Sequence, residues 1–122
     1  MIRFVTATAL LALSFVAQAQ LRMGVEMGVV APICMTRESA VEIASTDVEK
    51  GLPAAIAVFN AKDDCNRMPV RMRAVRIVLE APTKADPMRI VRVVEVQARA
   101  PDASMVTVYL LTDGPVQGPP IT

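Results

Sequence analysis

The chain has two cysteines, Cys34 and Cys65, and the segment between them limits what it can fold into. Thr36 is placed to cap a helix, and Glu38 suits the positive end of its first turn. Val41, Ala44 and Val48 recur at helical spacing, flanked by Ala40 and Ile43. Lys50-Gly51 is a stop signal, and Pro53 fits the first turn of a second helix. There Ile56 and Phe59 share a face with Leu52 and Ala55. One unbroken helix, the competing reading, would hold the cysteines about 46 Å apart, whereas a disulfide needs Cα atoms within about 7 Å. Two helices folded back at Lys50-Gly51 bring both cysteines to one end. The spacing therefore predicts a helical hairpin stapled by a Cys34–Cys65 disulfide, with Cα atoms about 5 to 6 Å apart. Free or intermolecular thiols are the alternative use. A redox pair normally keeps two residues between its cysteines. Zinc takes about four nitrogen or sulfur ligands, and the chain contains no histidine. No metal and no cofactor is expected.

On either side of the hairpin the pattern is that of strands. In "LRMGVEMGVV", Leu21, Met23, Val25, Met27 and Val29 alternate with polar residues or glycine, a period of two. Pro32 is expected to end that run. After Pro69, "VRMRAVRIVLE", "MRIVRVVEVQA" and "SMVTVYLLT" are rich in β-branched residues. Short connectors with proline and aspartate between them suit hairpins. Alternation slips near Ala74 and at Val93-Val94, which a bulge or a strand covered on both faces would explain. The expected fold class is α+β, with the order β-α-α-β-β-β. It has two layers, a helical hairpin packed on a three- to four-stranded antiparallel sheet.

The ends set the expected compartment. Arg3, the charge-free run "FVTATALLALSFVA" and Ala17-Gln18-Ala19 have the layout of a secretory signal peptide over 1–19. The apolar run is short of the roughly 20 residues that span a bilayer, so no membrane anchor is expected after cleavage. Residues 20–112 are read as one domain, and 113–122 as a flexible tail. The protein is then exported, periplasmic or secreted. Arg3 would leave with the leader, so the thirteen basic and twelve acidic residues reduce to equal numbers. A net charge near zero gives no global attraction to nucleic acid, and few aromatics are available for base stacking.

The pattern "CMTRESA…DCNRMPV" resembles small exported bacterial proteins of unassigned role, and the resemblance implies no catalytic or binding residues. The outline of helices on an antiparallel sheet is similar to the cystatin fold at the level of layers, without that family's glutamine-valine-glycine loop.

Without histidine, the commonest general base and the usual nucleophile triads are missing, and no catalytic residue is assigned. Adjacent acids such as Asp63-Asp64 do not supply two carboxylates opposed across a cleft. A small envelope hydrolase using Glu80, Glu95 or Asp64 is the alternative reading. Met23 and Met27, and Met68 and Met72, are spaced by four. Thioethers are soft ligands for Cu(I), but on a strand this spacing puts gap-filling methionines on one face. Arginine is the more suggestive residue, with Arg71, Arg73, Arg76, Arg89, Arg92 and Arg99 falling on two of the strands. Guanidinium forks grip phosphate, sulfate or carboxylate groups bidentately. Arg71, Arg73, Arg89 and Arg92 are the candidate contacts for an anionic partner, an envelope or extracellular macromolecule. Mixed parity leaves their common face undetermined, and pairing with Glu80 and Glu95 is the competing role.

Overall fold

The computed structural model describes residues 21–118; the expected signal peptide lies outside them. Two helices and an antiparallel sheet make an α+β fold in the expected order. β1 is Leu21–Arg22, β2 Glu26–Cys34, α1 Arg37–Lys50, α2 Leu52–Ala61, β3 Cys65–Pro82, β4 Ile90–Arg99, β5 Met105–Thr112 and β6 Val116–Gln117. The sheet closes on itself in the order β2-β3-β4-β5. β2 supplies the closure, pairing with β3 along its length and with β5 at Ile33↔Leu110 and Cys34↔Tyr109. β3 reaches both neighbours because it is long. Cys65 to Arg73 pair with β2, and Met72 to Pro82 pair with β4.

The helices are an excursion from the tip of a β-hairpin. Cys34 ends β2, Cys65 begins β3, and the two are directly opposed in the ladder and bonded. Their Cα atoms lie 4.0 Å apart, closer than the expected 5 to 6 Å. Opposed antiparallel residues approach to about 4.5 Å in a non-hydrogen-bonded pair, whereas the expected 5 to 6 Å is the usual separation across a disulfide. Thr36 caps α1, its Oγ1 accepting from the Ser39 N–H at 3.3 Å. Gly51 ends α1 at φ 98°, a left-handed value that favours glycine, and Pro53 falls in the first turn of α2. The break between the helices is therefore where the sequence placed it.

Two apolar clusters divide the interior. Val29, Ala31 and Ile33 of β2, Met72 and Ala74 of β3, Val94, Val96 and Ala98 of β4, and Val108 and Leu110 of β5 fill the barrel. Ala40, Ile43 and Ala44 of α1 and Ala55 and Phe59 of α2 pack with the disulfide, Val91, Val93 and Leu111 on the outer wall. Full burial of each valine or leucine contributes roughly 1.5–3 kcal/mol. The slip at Val93-Val94 is a strand covered on both faces: Val93 faces the helices, Val94 the barrel, and neither is exposed. The slip near Ala74 is a change of register between Ala74 and Arg76.

Three details differ from expectation. The first run is broken at Gly24 (φ 79°), leaving β1 as a separate strand. Pro32 lies inside β2, opposite Arg67. Through Pro32, β2 is paired on the β3 side alone, and such an edge tolerates a residue without an N–H. Within the segment expected as a tail, Val116–Gln117 form β6, parallel to β1. Leu21 of β1 is buried in the barrel cluster, and Val116 packs against it.

Candidate functional site

Four of the six arginines singled out from the sequence, Arg71, Arg73, Arg76 and Arg99, are exposed on the outer wall of the barrel. Residues directly opposed in a sheet share a face. Arg73 pairs in register with Gln97 and with Glu26, and Arg76 with Glu95. The extra residue, Val75, restores Arg76 to the face of Arg71 and Arg73, which resolves the mixed parity of the sequence. Arg99, two positions beyond Gln97 on β4, joins them. The face thus holds Arg71, Arg73, Arg76 and Arg99 against two carboxylates. Arg71 Nε donates to Glu26 Oε2 at 3.3 Å, Arg99 approaches the same oxygen at 3.5 Å, and Arg76 Nε donates to Glu95 Oε1 at 3.0 Å. The bond from Arg71, with the charge of Arg99 behind it, holds the Glu26 carboxyl below its ordinary pKa. Arg73 is exposed and makes no ion pair among the described residues.

Two of the four candidate contacts do not belong to this surface. Arg89 is gripped bidentately by Asp47 of α1, at 2.7 and 2.8 Å, and donates from Nε to Asp113 at 2.7 Å. These bonds, the Asp47 pair first, raise its pKa. Asp47 is only 4% exposed, so the cluster locks α1 to the segment after β5. Arg92 donates to Glu80 at 2.6 Å and to the Gly114 carbonyl at 2.9 Å. Both arginines have their guanidinium groups engaged within the chain, where they fasten neighbouring elements together. Sequence reasoning missed Asp47, although a signal was present. It continues the buried stripe Ala40–Ile43–Ala44, and an acid on the apolar face of a helix needs a partner.

The carboxylates named for hydrolysis are also apart. Glu80 is bonded to Arg92, and Glu95 to Arg76. Asp64 sits at the hairpin neck, accepting from the Thr36 hydroxyl at 2.8 Å and the Ser39 hydroxyl at 2.9 Å. The Thr36 bond is foremost in lowering its pKa. The methionines divide similarly. Met72 is buried in the barrel, Met23 and Met27 pack against that cluster, and Met68 is 40% exposed at the barrel mouth.

That mouth is a cavity of about 530 Å³. It opens where β3 leaves β4 beyond the Met72↔Ala98 pair and β2 leaves β5 beyond Cys34↔Tyr109. Inward residues Ile33, Met68, Val70, Ala98, Val106 and Val108 line it, with Arg71 and Arg99 on its lip. The opposite end is occupied: β1 and β6 pair there, and the Gly24 N–H donates to the Ala74 carbonyl at 2.9 Å. Comparison with protein-family models, curated proteins and solved structures finds no match for the chain.

Proposed function

We propose that the protein is an exported, disulfide-stapled, non-enzymatic binding module. Its partner is an anionic macromolecule of the cell envelope or extracellular space, held by the face bearing Arg71, Arg73, Arg76 and Arg99. The observation that carries this reading is the register change at Val75. It gathers onto one exposed face arginines that simple alternation would scatter, and leaves them in excess over Glu26 and Glu95. An excess of exposed guanidinium groups attracts and orients phosphate, sulfate or carboxylate groups. Export is supported by the Cys34–Cys65 bond, since disulfides persist in oxidising compartments, and by the signal-like layout of residues 1–19. Among the described residues no helix is long and apolar enough to cross a membrane.

The test is affinity capture from envelope extract by the protein beginning at Gln20, beside Arg73→Gln/Arg76→Gln, over a salt series. Species retained at low salt by the parent and lost by the variant are expected, with both proteins melting at similar temperatures. Equal capture by both across the series would reject the arginine face.

A further inference from the structure

We propose that the open mouth of the barrel binds a free single-chain anionic amphiphile, with its acyl chain between β3 and the β4–β5 hairpin and its head group at Arg71 and Arg99. The inference rests on the binding-module reading only in using Arg71 and Arg99 as anion contacts.

Three observations define the ligand. The cavity, at about 530 Å³, lies within the roughly 300–1,000 Å³ of small-molecule sites, and barrel mouths are among their usual places. Its wall is aliphatic: valine, isoleucine, alanine, proline and methionine, with neither aromatic residue nor carboxylate. Such a wall suits a hydrocarbon chain, and offers a sugar or planar ring no surface to stack on. Met35 and Met68 flank the opening and are 54% and 40% exposed. Their unbranched thioethers can repack around chains of different length.

Charge defines the head group. Arg71 and Arg99 share the single carboxylate of Glu26, through one contact of 3.3 Å and one of 3.5 Å. The lip therefore keeps a positive excess, and its guanidinium groups have donors free for a second anion. A carboxylate or phosphate at the end of an acyl chain meets both requirements. Both described ends of the chain lie in the β1–β6 pair at the opposite mouth, so neither β1 nor β6 fills the cavity.

Laurate provides the anionic probe and dodecyltrimethylammonium the same chain with the opposite charge. Each is titrated calorimetrically below its micelle concentration, with butyrate as the chainless control. The expected result is one laurate per protein, at least tenfold weaker binding of the cationic amphiphile, and no measurable binding of butyrate. Arg71→Gln/Arg99→Gln should weaken laurate about tenfold, consistent with loss of charge-assisted hydrogen bonds. Met68→Trp, which narrows the opening, should weaken it at least as much. Ala100→Trp serves the same purpose if Met68→Trp does not fold. Failure of laurate to bind, equal binding of both amphiphiles, or indifference to a folded tryptophan variant would overturn the proposal. Sedimentation with phosphatidylglycerol vesicles in the absence of laurate binding would also overturn it, in favour of a membrane surface. Arg73 and Arg76 do not line the cavity. Salt-dependent capture that still depends on them, beside a negative laurate result, would reject the amphiphile alone. The reverse pair of results would reject the macromolecular partner alone.

Discussion

The two ends of the barrel are built from similar strands and finished in opposite ways. At the end where the tip of the helical hairpin docks, apolar surface is covered twice, and several charges are tied to another element. Arg89 joins α1 to Asp113, Arg92 joins β4 to Gly114, and the Lys84 N–H reaches the Val48 carbonyl at 2.9 Å. At the far end the strands part, Met68 and Met105 are exposed, and the arginines outnumber their carboxylates. The same residue type therefore has two roles. An arginine that is itself mostly buried and bonded to two partners is structural, whereas an exposed one sharing a carboxylate with a second arginine is available to a ligand. The difference lies in what the surrounding backbone brings within reach.

The helical hairpin depends first on its staple. Replacing Cys34 and Cys65 together by alanine removes a closed loop of about thirty residues from the unfolded chain. It should lower stability by about 3.5 kcal/mol in chain-entropy terms, measurable by urea unfolding. A loss below about 1 kcal/mol would mean that the neck bonds hold the helices unaided. Asp47→Ala should cost somewhat less, about 3 kcal/mol, because it leaves a half-buried guanidinium with only Asp113. Substitution at the other end should differ in kind. Arg99→Gln should shift stability by no more than about 0.5 kcal/mol, and a larger loss would erase the distinction between the ends.

The neck gives an intermediate effect with a pH signature. Asp64 has a folded pKa below its ordinary value, first through the Thr36 hydroxyl. Its contribution is therefore fully present above the unfolded pKa of about 3.9 and is lost as pH falls through the lower folded value. Asp64→Asn should flatten the acid limb of the stability profile while leaving its neutral limb parallel to the parent. Thr36→Ala, which removes the N-cap and this donor, should cost about 1 kcal/mol at neutral pH. An unchanged acid limb in Asp64→Asn would remove the carboxylate from the account of the neck.

Much of the fold was legible because its signals are local. Thr36, Lys50-Gly51 and Pro53 punctuate the helices through backbone chemistry that acts within a turn. The disulfide followed from geometry once the helices were in place. The β-branched runs marked β3, β4 and β5, and the doubled burial at Val93-Val94 was visible as a break in alternation. Closure of the sheet was not legible, since it depends on the Ile33↔Leu110 and Cys34↔Tyr109 pairing between distant segments. Pro32 misled because proline is excluded from paired interior strands but not from an edge. The arginines were legible as a group and not as individuals. Only the register change at Val75 and the partners Asp47, Asp113 and Gly114 separate Arg73 and Arg76 from Arg89 and Arg92. The mouth escaped notice because its lining comes from four strands, none of which carries a motif.

Native-state hydrogen exchange tests most directly the claim that one end is scaffold and the other is left available. The slowest amides should cluster at Val91 to Val96, Leu110 and Leu111, exchanging only with global unfolding. Those of Arg99, Met105 and Val106 should exchange through local opening, at least a hundredfold faster. Uniform protection from Val91 to Arg99 and along β5 would contradict the division between a locked end and an open one.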